Sequence, residues 1–311
     1  MSRAEVAAKL GDAFRNGRFK LIDPVLLGAT LALCALGLLM IYSITAAPLR
    51  SAAFLENQGF RIALGLVGLA IASRIDYHRW GYKAPLYFAL GLLGLLLVLV
   101  PNIGHEVNGA RRWIKIGSQT LQPVDFARVG LVIYLAFLLS KPRQKLEQFS
   151  SGLLPCMVAV GLMVLLLFLQ PNMSSAIAIT VIAGLMLLVG RIPFRHLGLL
   201  LVPAAVAIPV LGKGYQSARI ENWLAYWKTG AGLDTANYQM DQSLISIGSG
   251  GLWGKGLGVS DQKWDFLPDA RTDFIFAILG EELGFFGALI VIGLLLLVFW
   301  RSYQISRTAP D

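Results

Sequence analysis

Long apolar segments, separated by shorter polar and basic stretches, follow one another along most of the chain. A helix that crosses the hydrocarbon core of a bilayer needs about 20 mainly apolar residues. The alternation of polar and apolar residues that marks a membrane β-barrel does not occur in these segments. We therefore predict an all-α, polytopic membrane protein with about eight transmembrane helices, at approximately residues 24–44, 58–73, 86–101, 123–140, 152–169, 174–190, 196–212 and 273–300.

The composition agrees with a membrane protein and excludes a soluble enzyme. Of the 311 residues, 56% are hydrophobic and 14% are charged, whereas soluble domains have about 25% charged residues. The same hydrophobicity excludes intrinsic disorder. The 2 cysteines both fall within predicted spans, and the 3 histidines lack the spacing of a metal site.

Basic residues indicate the orientation of the spans. If the N-terminus is inside, 15 of the 27 Lys and Arg residues lie in cytoplasmic loops and tails, where positive charges collect. This rule predicts a multi-pass membrane protein with both termini in the cytoplasm. Residues 1–23 are then a cytoplasmic tail and residues 24–311 a transmembrane domain, with outside loops at 101–122 and 213–272.

The first outside loop is unusually basic, because Arg111, Arg112 and Lys115 surround Trp113. Basic residues on the outside run against the usual orientation preference. Arginine binds phosphate through paired hydrogen bonds, so one interpretation is a site for an anionic ligand. Anchoring of Arg and Trp at the membrane interface is the alternative.

Polar residues also begin the fourth predicted span, directly after Gln122. Pro123 suits the first position of a helix, and the helix dipole favours Asp125 in the first turn. Arg128 lies three residues further on, and therefore on the same face as Asp125. An ion pair between the two is either structural or part of a binding site.

The second outside loop, at about 60 residues, is too long to be structureless in a compact protein unless it has a function. Residues 218–228 are predicted to form an amphipathic interfacial helix. The glycines further on do not form a phosphate-binding loop, because Gly254 and Lys255 are followed by Gly256 rather than Ser or Thr. They indicate tight turns and close backbone approach instead.

Three carboxylates belong to the eighth predicted span. Asp273 begins it, and a carboxylate at the edge of a membrane is costly unless it is used; a helix N-cap is the alternative. Glu281 and Glu282 lie about 12 Å deeper in the same helix. Helix geometry places only Glu281 near the face of Asp273, so we predict that Glu282 serves helix packing or faces another interior surface.

Several motifs, taken in order, resemble one known family of membrane proteins. They are GARRWI, QPVDFAR, QPNMSSA, YQMDQSLISIGSGGLWGKGLG and SDQKWDFLPDARTDFIFAILGEELG. They resemble the SEDS family (shape, elongation, division, sporulation) of bacterial cell-wall polymerases, and the GLGVSDQK turn is more similar to its division branch. Several features depart from the family; in particular, Asn172 replaces an Asp, and the family's usual ten spans and Ser-Tyr-Gly-Gly-Ser motif extend beyond this C-terminally short chain.

The resemblance implies a peptidoglycan glycosyltransferase of the bacterial cytoplasmic (inner) membrane, which polymerises lipid II at the outer face of that membrane in cell division or shape maintenance. Asp273 is implied as the general base for the acceptor 4-hydroxyl. Positive charge at the diphosphate leaving group would come from Arg111, Arg112 and Lys263. The full set expected to bind substrate is Arg111, Arg112, Trp113, Lys115, Gln122, Asp125, Arg128, Lys263 and Glu281.

The resemblance also implies partners: the lipid II substrate, a class B penicillin-binding protein transpeptidase, and other divisome or elongasome membrane proteins, with no nucleic acid. A divalent cation, Mg²⁺ or Mn²⁺, would suit a diphosphate leaving group, although no metal-ligand spacing is visible in the sequence. Two other functions stay open. A lipid II flippase would need ionisable residues through the midplane of several helices, and an inactive scaffold would only recruit the transpeptidase.

Overall fold

The computed structural model describes most of the predicted spans and the C-terminal part of the long outside loop, from residue 235. Described are residues 22–45, 53–107, 110–117, 119–142, 146, 148–190, 235–264, 266–268, 270 and 272–309. The predicted seventh span at 196–212, the amphipathic helix at 218–228 and residues 1–21 of the tail lie outside the described residues.

The described chain is largely helical, as predicted. The helices are α1 (Pro24–Thr45), α2 (Ala53–Ala72), α3 (Tyr77–Tyr82), α4 (Ala84–Leu99), α5 (Pro123–Leu139), α6 (Leu154–Leu169), α7 (Met173–Val189), α8 (Thr235–Ser249) and α9 (Ile275–Thr308). A π-helical turn, Phe149–Leu153, leads into α6. Among them, α1, α9 and the segment Phe149–Leu169 are long and apolar enough to cross a membrane, and α4 and α7 are shorter apolar helices.

Local sequence signals explain where several helices begin. The Asp23 side chain accepts hydrogen bonds from the backbone N–H groups of Val25 and Leu26 at 3.1 and 2.9 Å, which caps α1. Asp76 caps α3 in the same way. Pro123 occupies the start of α5, as predicted, where its missing N–H costs nothing.

A small antiparallel sheet lies within the first predicted outside loop. Its strands are β1 (Gly104–Val107), β2 (Ala110–Ile116) and β3 (Gln119–Leu121), in the order β1-β2-β3. The all-α prediction is therefore correct for the spans but did not include this sheet. Strands of three to seven residues leave no signal in a search for apolar runs of about 20 residues.

The contacts divide the chain into two units, residues 1–75 with 219–311 and residues 76–218. In the second unit, an apolar core joins α4, α5, α6 and α7, and its fully buried members include Leu95, Leu135 and Met163. In the first unit, a smaller core joins α1, α9 and the loop before α9, through Ile44, Ile278 and other residues.

Candidate active site and its supporting loop

Asp273, the predicted general base, lies two residues before the start of α9 and is exposed. The residue at the N-cap position is Phe274, and no side chain caps the helix. Within the described part of the chain, the Asp273 carboxylate has no hydrogen bond or ion pair. The N-cap alternative is therefore wrong, and the carboxylate is open to an external group.

The helix that follows Asp273 is interrupted at Gly284, whose φ and ψ are 68° and −166°. The loop after α8 enters this break and exchanges backbone hydrogen bonds with both sides of it. On the C-terminal side of the break, the backbone N–H groups of Phe285 and Phe286 donate to the carbonyls of Gly251 and Leu252 at 2.9 and 3.3 Å. On the N-terminal side, the carbonyls of Glu281 and Glu282 accept from the backbone N–H groups of Lys255 and Gly256 at 2.9 and 3.0 Å. Backbone groups freed in a membrane helix must be satisfied by other protein groups, and here this loop supplies them.

Glycine is required where the loop meets the helix. A Cβ atom on Gly250 would overlap the carbonyl oxygen of Gly280, and one on Gly254 would overlap that of Glu282. Gly254 also has a φ of 81°, in the region that L side chains rarely adopt. The predicted role of these glycines, in tight turns and close backbone approach, is confirmed.

The carboxylate of Glu281 is the centre of a buried polar cluster. Its two oxygens accept hydrogen bonds from the hydroxyl groups of Ser246, Ser249 and Ser260 at 3.2, 3.3 and 2.5 Å. They also accept from the Lys255 ammonium at 2.7 Å and from the backbone N–H of Asp261 at 3.2 Å. Five donors compensate the burial of this charge, and all of them come from α8 and the loop.

Lys255 lies at the solvent side of this cluster, between two carboxylates. Its ammonium is 2.8 Å from Asp261 and 2.7 Å from Glu281. The hydrogen bond to Asp261, followed by the one to Glu281, raises the pKa of Lys255 above its usual value. Lys255 is therefore charged at neutral pH and holds the loop against α9.

Glu282 forms a second buried contact, between α1, α9 and the loop. It accepts a hydrogen bond from Ser43 of α1 at 2.6 Å and lies 3.7 Å from the ammonium of Lys263. Its predicted role in helix packing is confirmed. Lys263 is itself buried and donates to the carbonyl of Gly258, so in this structure its ammonium faces protein groups; binding of a diphosphate by Lys263 stays a prediction.

In the second unit, Arg112 has an intrachain role that the sequence did not suggest. The register between β1 and β2 shifts so that His105 faces Trp113 and Glu106 faces Arg111, which leaves Arg112 without a partner on β1. A bulge of this kind redirects a side chain. The Arg112 guanidinium donates to the carbonyls of Gln170, at 3.4 Å, and of Pro171, at the C-terminal end of α6, where a positive charge is favourable.

The other basic residues of the sheet make fewer contacts with protein groups than Arg112 does. Arg111 pairs with Glu106 at 3.1 Å, and both side chains are largely accessible. Trp113 and Lys115, two residues apart on β2, share a face of the strand; Lys115 is exposed and Trp113 is half-buried. The side chains of Arg111 and Lys115 are thus accessible, whereas Arg112 is bonded to two backbone carbonyls outside the sheet.

The start of α5 has the ion pair that the spacing predicted. Arg128 lies 3.8 Å from Asp125, and Asp125 is largely exposed. The Nε atom of Arg128 is buried and lacks a hydrogen-bond partner among the described residues. Gln122 occupies the N-cap position, but its side chain makes no capping hydrogen bond.

The divalent cation that would suit a diphosphate leaving group stays a prediction. Across the described ranges, no three His, Cys, Asp or Glu residues lie close enough together to hold a metal ion. We assign no step of the reaction to a metal.

The structure therefore distributes the predicted site residues between the two units. Asp273, Lys263 and Glu281 belong to the first, and Arg111, Arg112, Trp113, Lys115, Gln122, Asp125 and Arg128 belong to the second. The partners of Glu281 are not among the residues predicted from the sequence; they are Ser246, Ser249, Lys255, Ser260 and Asp261. A partial signal was available, because serines at 243, 246 and 249 follow the spacing of one helix face.

Comparison with known proteins identifies the family. A model of the cell cycle protein family that includes FtsW, RodA and SpoVE matches residues 24–311. The chain belongs to this family. Within the FtsW/RodA/SpoVE family it is FtsW-like, as the GLGVSDQK turn suggested.

Curated relatives in the FtsW/RodA/SpoVE family support this assignment. The chain is 34% identical to a probable peptidoglycan glycosyltransferase FtsW of Geobacter sp. (strain M18), over 93% of this chain and 80% of the relative. It is 33% identical to the stage V sporulation protein E of Bacillus subtilis (strain 168), over 93% of this chain and 80% of the relative.

Solved structures of the family share the fold. One, described as a peptidoglycan synthase complex that coordinates polymerization and crosslinking, matches with a TM-score of 0.72 and 25% identity, over 94% of this chain and 80% of the other. The rod shape determining protein RodA of Thermus thermophilus matches with a TM-score of 0.64 and 24% identity, over 94% and 78%. The chain is thus a multi-pass membrane protein of the FtsW/RodA/SpoVE fold.

Proposed function

We propose that this protein is a peptidoglycan glycosyltransferase that polymerises lipid II at the outer face of the bacterial cytoplasmic membrane, with Asp273 as its general base. The observation that carries the proposal is the exposed, unpartnered carboxylate of Asp273 at the start of α9, in a chain whose relatives are named peptidoglycan glycosyltransferases. A side chain without a protein partner keeps its lone pairs available for a substrate proton.

The reaction joins two sugars without an oxidant or reductant. The 4-oxygen of the acceptor sugar forms a bond to the anomeric carbon of the donor, and the bond from that carbon to the lipid diphosphate breaks. Asp273 takes the proton of the attacking hydroxyl, a role that contributes about 10²–10⁴ in rate. Diphosphate leaves with additional negative charge, which nearby cations would stabilise.

For that stabilisation we propose the exposed cations of the sheet, Arg111 and Lys115, and the Arg128 guanidinium. Arg111 and Lys115 are accessible, and the buried Nε donor of Arg128 is unsatisfied among the described residues. Trp113 would contact the membrane interface or the lipid, and Gln122 and Asp125 would assist binding at the start of α5. Arg112, which is bonded to two carbonyls, would support the sheet.

The transporter alternative receives less support from the described helices. The buried carboxylates Glu281 and Glu282 are both bonded to protein donors, whereas a polar path through the membrane needs ionisable groups that are open to the passing substrate. The similarity to a peptidoglycan synthase complex supports a class B penicillin-binding protein transpeptidase as the partner of this chain.

The test is polymerisation of labelled lipid II by the purified protein with its transpeptidase. Asp273→Asn keeps the shape of the side chain and removes the base, so we expect kcat to fall about 10²-fold or more. Asp76→Asn is the matched control, because Asp76 is exposed and Asn caps a helix equally well. Wild-type polymerisation by Asp273→Asn would refute the mechanism. Lipid II binding by the wild-type protein without glycan chains would favour a scaffold, and flipping without polymerisation a transporter.

Orientation has a separate test. Thr120 in β3 and Thr308 at the end of α9 are both exposed, and we propose that they lie on opposite sides of the membrane. An impermeant thiol reagent added to intact cells should label Thr120→Cys and leave Thr308→Cys unlabelled. The reverse pattern would overturn the proposed orientation.

A further inference from the structure

The cluster around Glu281 brings together parts of the chain that are distant in sequence. Ser246 and Ser249 belong to α8, Lys255 and Ser260 to the loop, and Glu281 itself to α9. A single carboxylate thus links two helices and the loop between them. The removal of one hydrogen-bonded group from such a buried cluster affects several segments at once.

Backbone hydrogen bonds at the break in α9 reinforce the connection between the loop and the helix. The loop contributes four backbone hydrogen bonds to the interruption at Gly284, so it replaces part of the helix's own ladder. Because Lys255 both donates its N–H to the carbonyl of Glu281 and pairs with the Glu281 side chain, backbone and side-chain contacts meet at the same residue. If the loop left, these backbone groups of α9 would lose their hydrogen-bond partners.

Asp273 lies between two anchored points. On its C-terminal side, Glu281 follows the start of α9 by six residues, about 9 Å along the helix axis. On its N-terminal side, Leu267 and Ala270 are buried against Met40, Ile44 and Ile278. Asp273 has no partner of its own in the described chain, so its position depends on how these neighbouring segments are held.

From this arrangement we propose that Glu281 is a positioning residue for Asp273. Through Lys255 and the three serines, Glu281 fixes the loop residues 250–261 in the break of α9, and thereby the start of the helix that directly follows Asp273. The proposal rests on the proposed function, because it assigns Glu281 to the support of the base. It also replaces the sequence-based interpretation of Glu281 as a substrate-binding residue, since the carboxylate is fully buried and bonded to five protein donors.

Glu281→Gln tests the proposal, since it keeps the length of the side chain and removes the charge that holds Lys255. We expect kcat for lipid II polymerisation to fall by about 10- to 100-fold, because a misplacement of about 1 Å of a reacting group costs about 10²-fold, while KM changes less than about twofold. Lys255→Met removes the accessible donor only and should give a smaller loss of the same kind. This milder variant keeps the test available if Glu281→Gln folds poorly.

Asp261→Asn is the matched control. It removes an ion pair of the same ammonium at nearly the same distance, 2.8 against 2.7 Å, while the backbone donor of Asp261 to Glu281 remains. Asp261 is mostly exposed, and exposed ion pairs contribute little. We expect kcat and KM of Asp261→Asn to equal those of the wild type.

A second readout does not depend on activity. A nitroxide label attached to Asp273→Cys reports the mobility of this position in its electron paramagnetic resonance spectrum. We expect Glu281→Gln and Lys255→Met to increase the mobile fraction of the label, and Asp261→Asn to leave the spectrum unchanged. This measurement remains informative even if Asp273→Asn polymerises normally and the proposed mechanism fails.

Three results would overturn the proposal. A raised KM with unchanged kcat and label mobility would show that Glu281 contacts lipid II. Unchanged kinetics and mobility would show that the start of α9 does not depend on it. Activity that falls only in proportion to the folded fraction, with a label spectrum like that of the wild type, would show a contribution to stability alone.

Discussion

The insertion of the loop into α9 makes a graded prediction for four glycines. Gly248 lies in α8, and a Cβ there would meet nothing within 4 Å. Gly251 also has open space around it, but its φ is 56°. Gly250 and Gly254 lie against backbone atoms of α9, and Gly254 combines this contact with a φ of 81°. Alanine substitutions at these four positions therefore separate the cost of a strained backbone from the cost of steric overlap between the new Cβ atom and α9.

The magnitudes follow from these two effects. Alanine in the left-handed region costs about 1–2 kcal/mol, which is the whole expected cost of Gly251→Ala. A methyl group forced into a packed interior costs about 1–3 kcal/mol, and the atoms in its way at Gly254 are the carbonyl of Glu282 and the amide nitrogen of Gly284, which belong to the helix backbone. Gly254→Ala therefore loses about 3 kcal/mol or more. Gly248→Ala should be neutral or slightly stabilising, because alanine favours a helix.

The assay is thermal unfolding of the purified protein in detergent, and the rank order of the four variants is the test. At about 2 °C per kcal/mol for a chain of this size, we expect Tm to fall by roughly 2–4 °C for Gly251→Ala and by roughly 6 °C or more for Gly254→Ala. The fall in Tm for Gly250→Ala should lie between these two values, and the Tm of Gly248→Ala should not fall. If the Tm of Gly254→Ala equalled that of Gly251→Ala, the loop would not be held in the break of α9, and the reasoning would be refuted.

Other contacts give further predictions. Hydrogen bonds from Arg301 lower the pKa of Asp23 from 3.8 to about 2. The ion pair therefore stabilises the folded state fully above about pH 4, and this contribution is lost as the pH falls towards 2. In melting curves recorded at decreasing pH, the Tm of Asp23→Asn should fall less than that of the wild type. Gln170→Ala leaves the Leu95 carbonyl without the 2.8 Å bond from Gln170 and should cost about 1–3 kcal/mol, measured by Tm; an unchanged Tm would contradict this. Arg112→Lys loses the paired donors to two carbonyls and should speed hydrogen exchange in residues 110–116, whereas unchanged exchange would show that Arg112 does not anchor the sheet.

The helical part of the fold was predictable because each span has its own local signal. The predicted start of the fourth span at residue 123 is the start of α5, since proline, an acidic first turn and an apolar run coincide there. The start of α2 was placed five residues late, at 58 instead of Ala53. The helix continues through the polar residues Glu56 and Asn57, which a search for apolar runs omits.

The candidate site was predictable only in part. The isolated acid at Asp273 could be identified from its place at the membrane edge and from the family resemblance. The loop inserted into α9 could not, because the pairing of Gly251 with Phe285 joins residues 34 positions apart and neither has a side-chain pattern that marks it. Likewise, the bulge that redirects Arg112 depends on the register of two strands, which the sequence of either strand does not specify.

The buried carboxylates of α9 also bear on the order in which the protein can be assembled. Each charged residue at the centre of an inserting helix costs about 2.5–3.5 kcal/mol, and Glu281 and Glu282 enter together. Every donor that bonds to them, from Ser43 to Lys263, precedes them in the chain. During synthesis their partners are therefore already present when α9 emerges, and the last described helix can enter the membrane beside the groups that neutralise it.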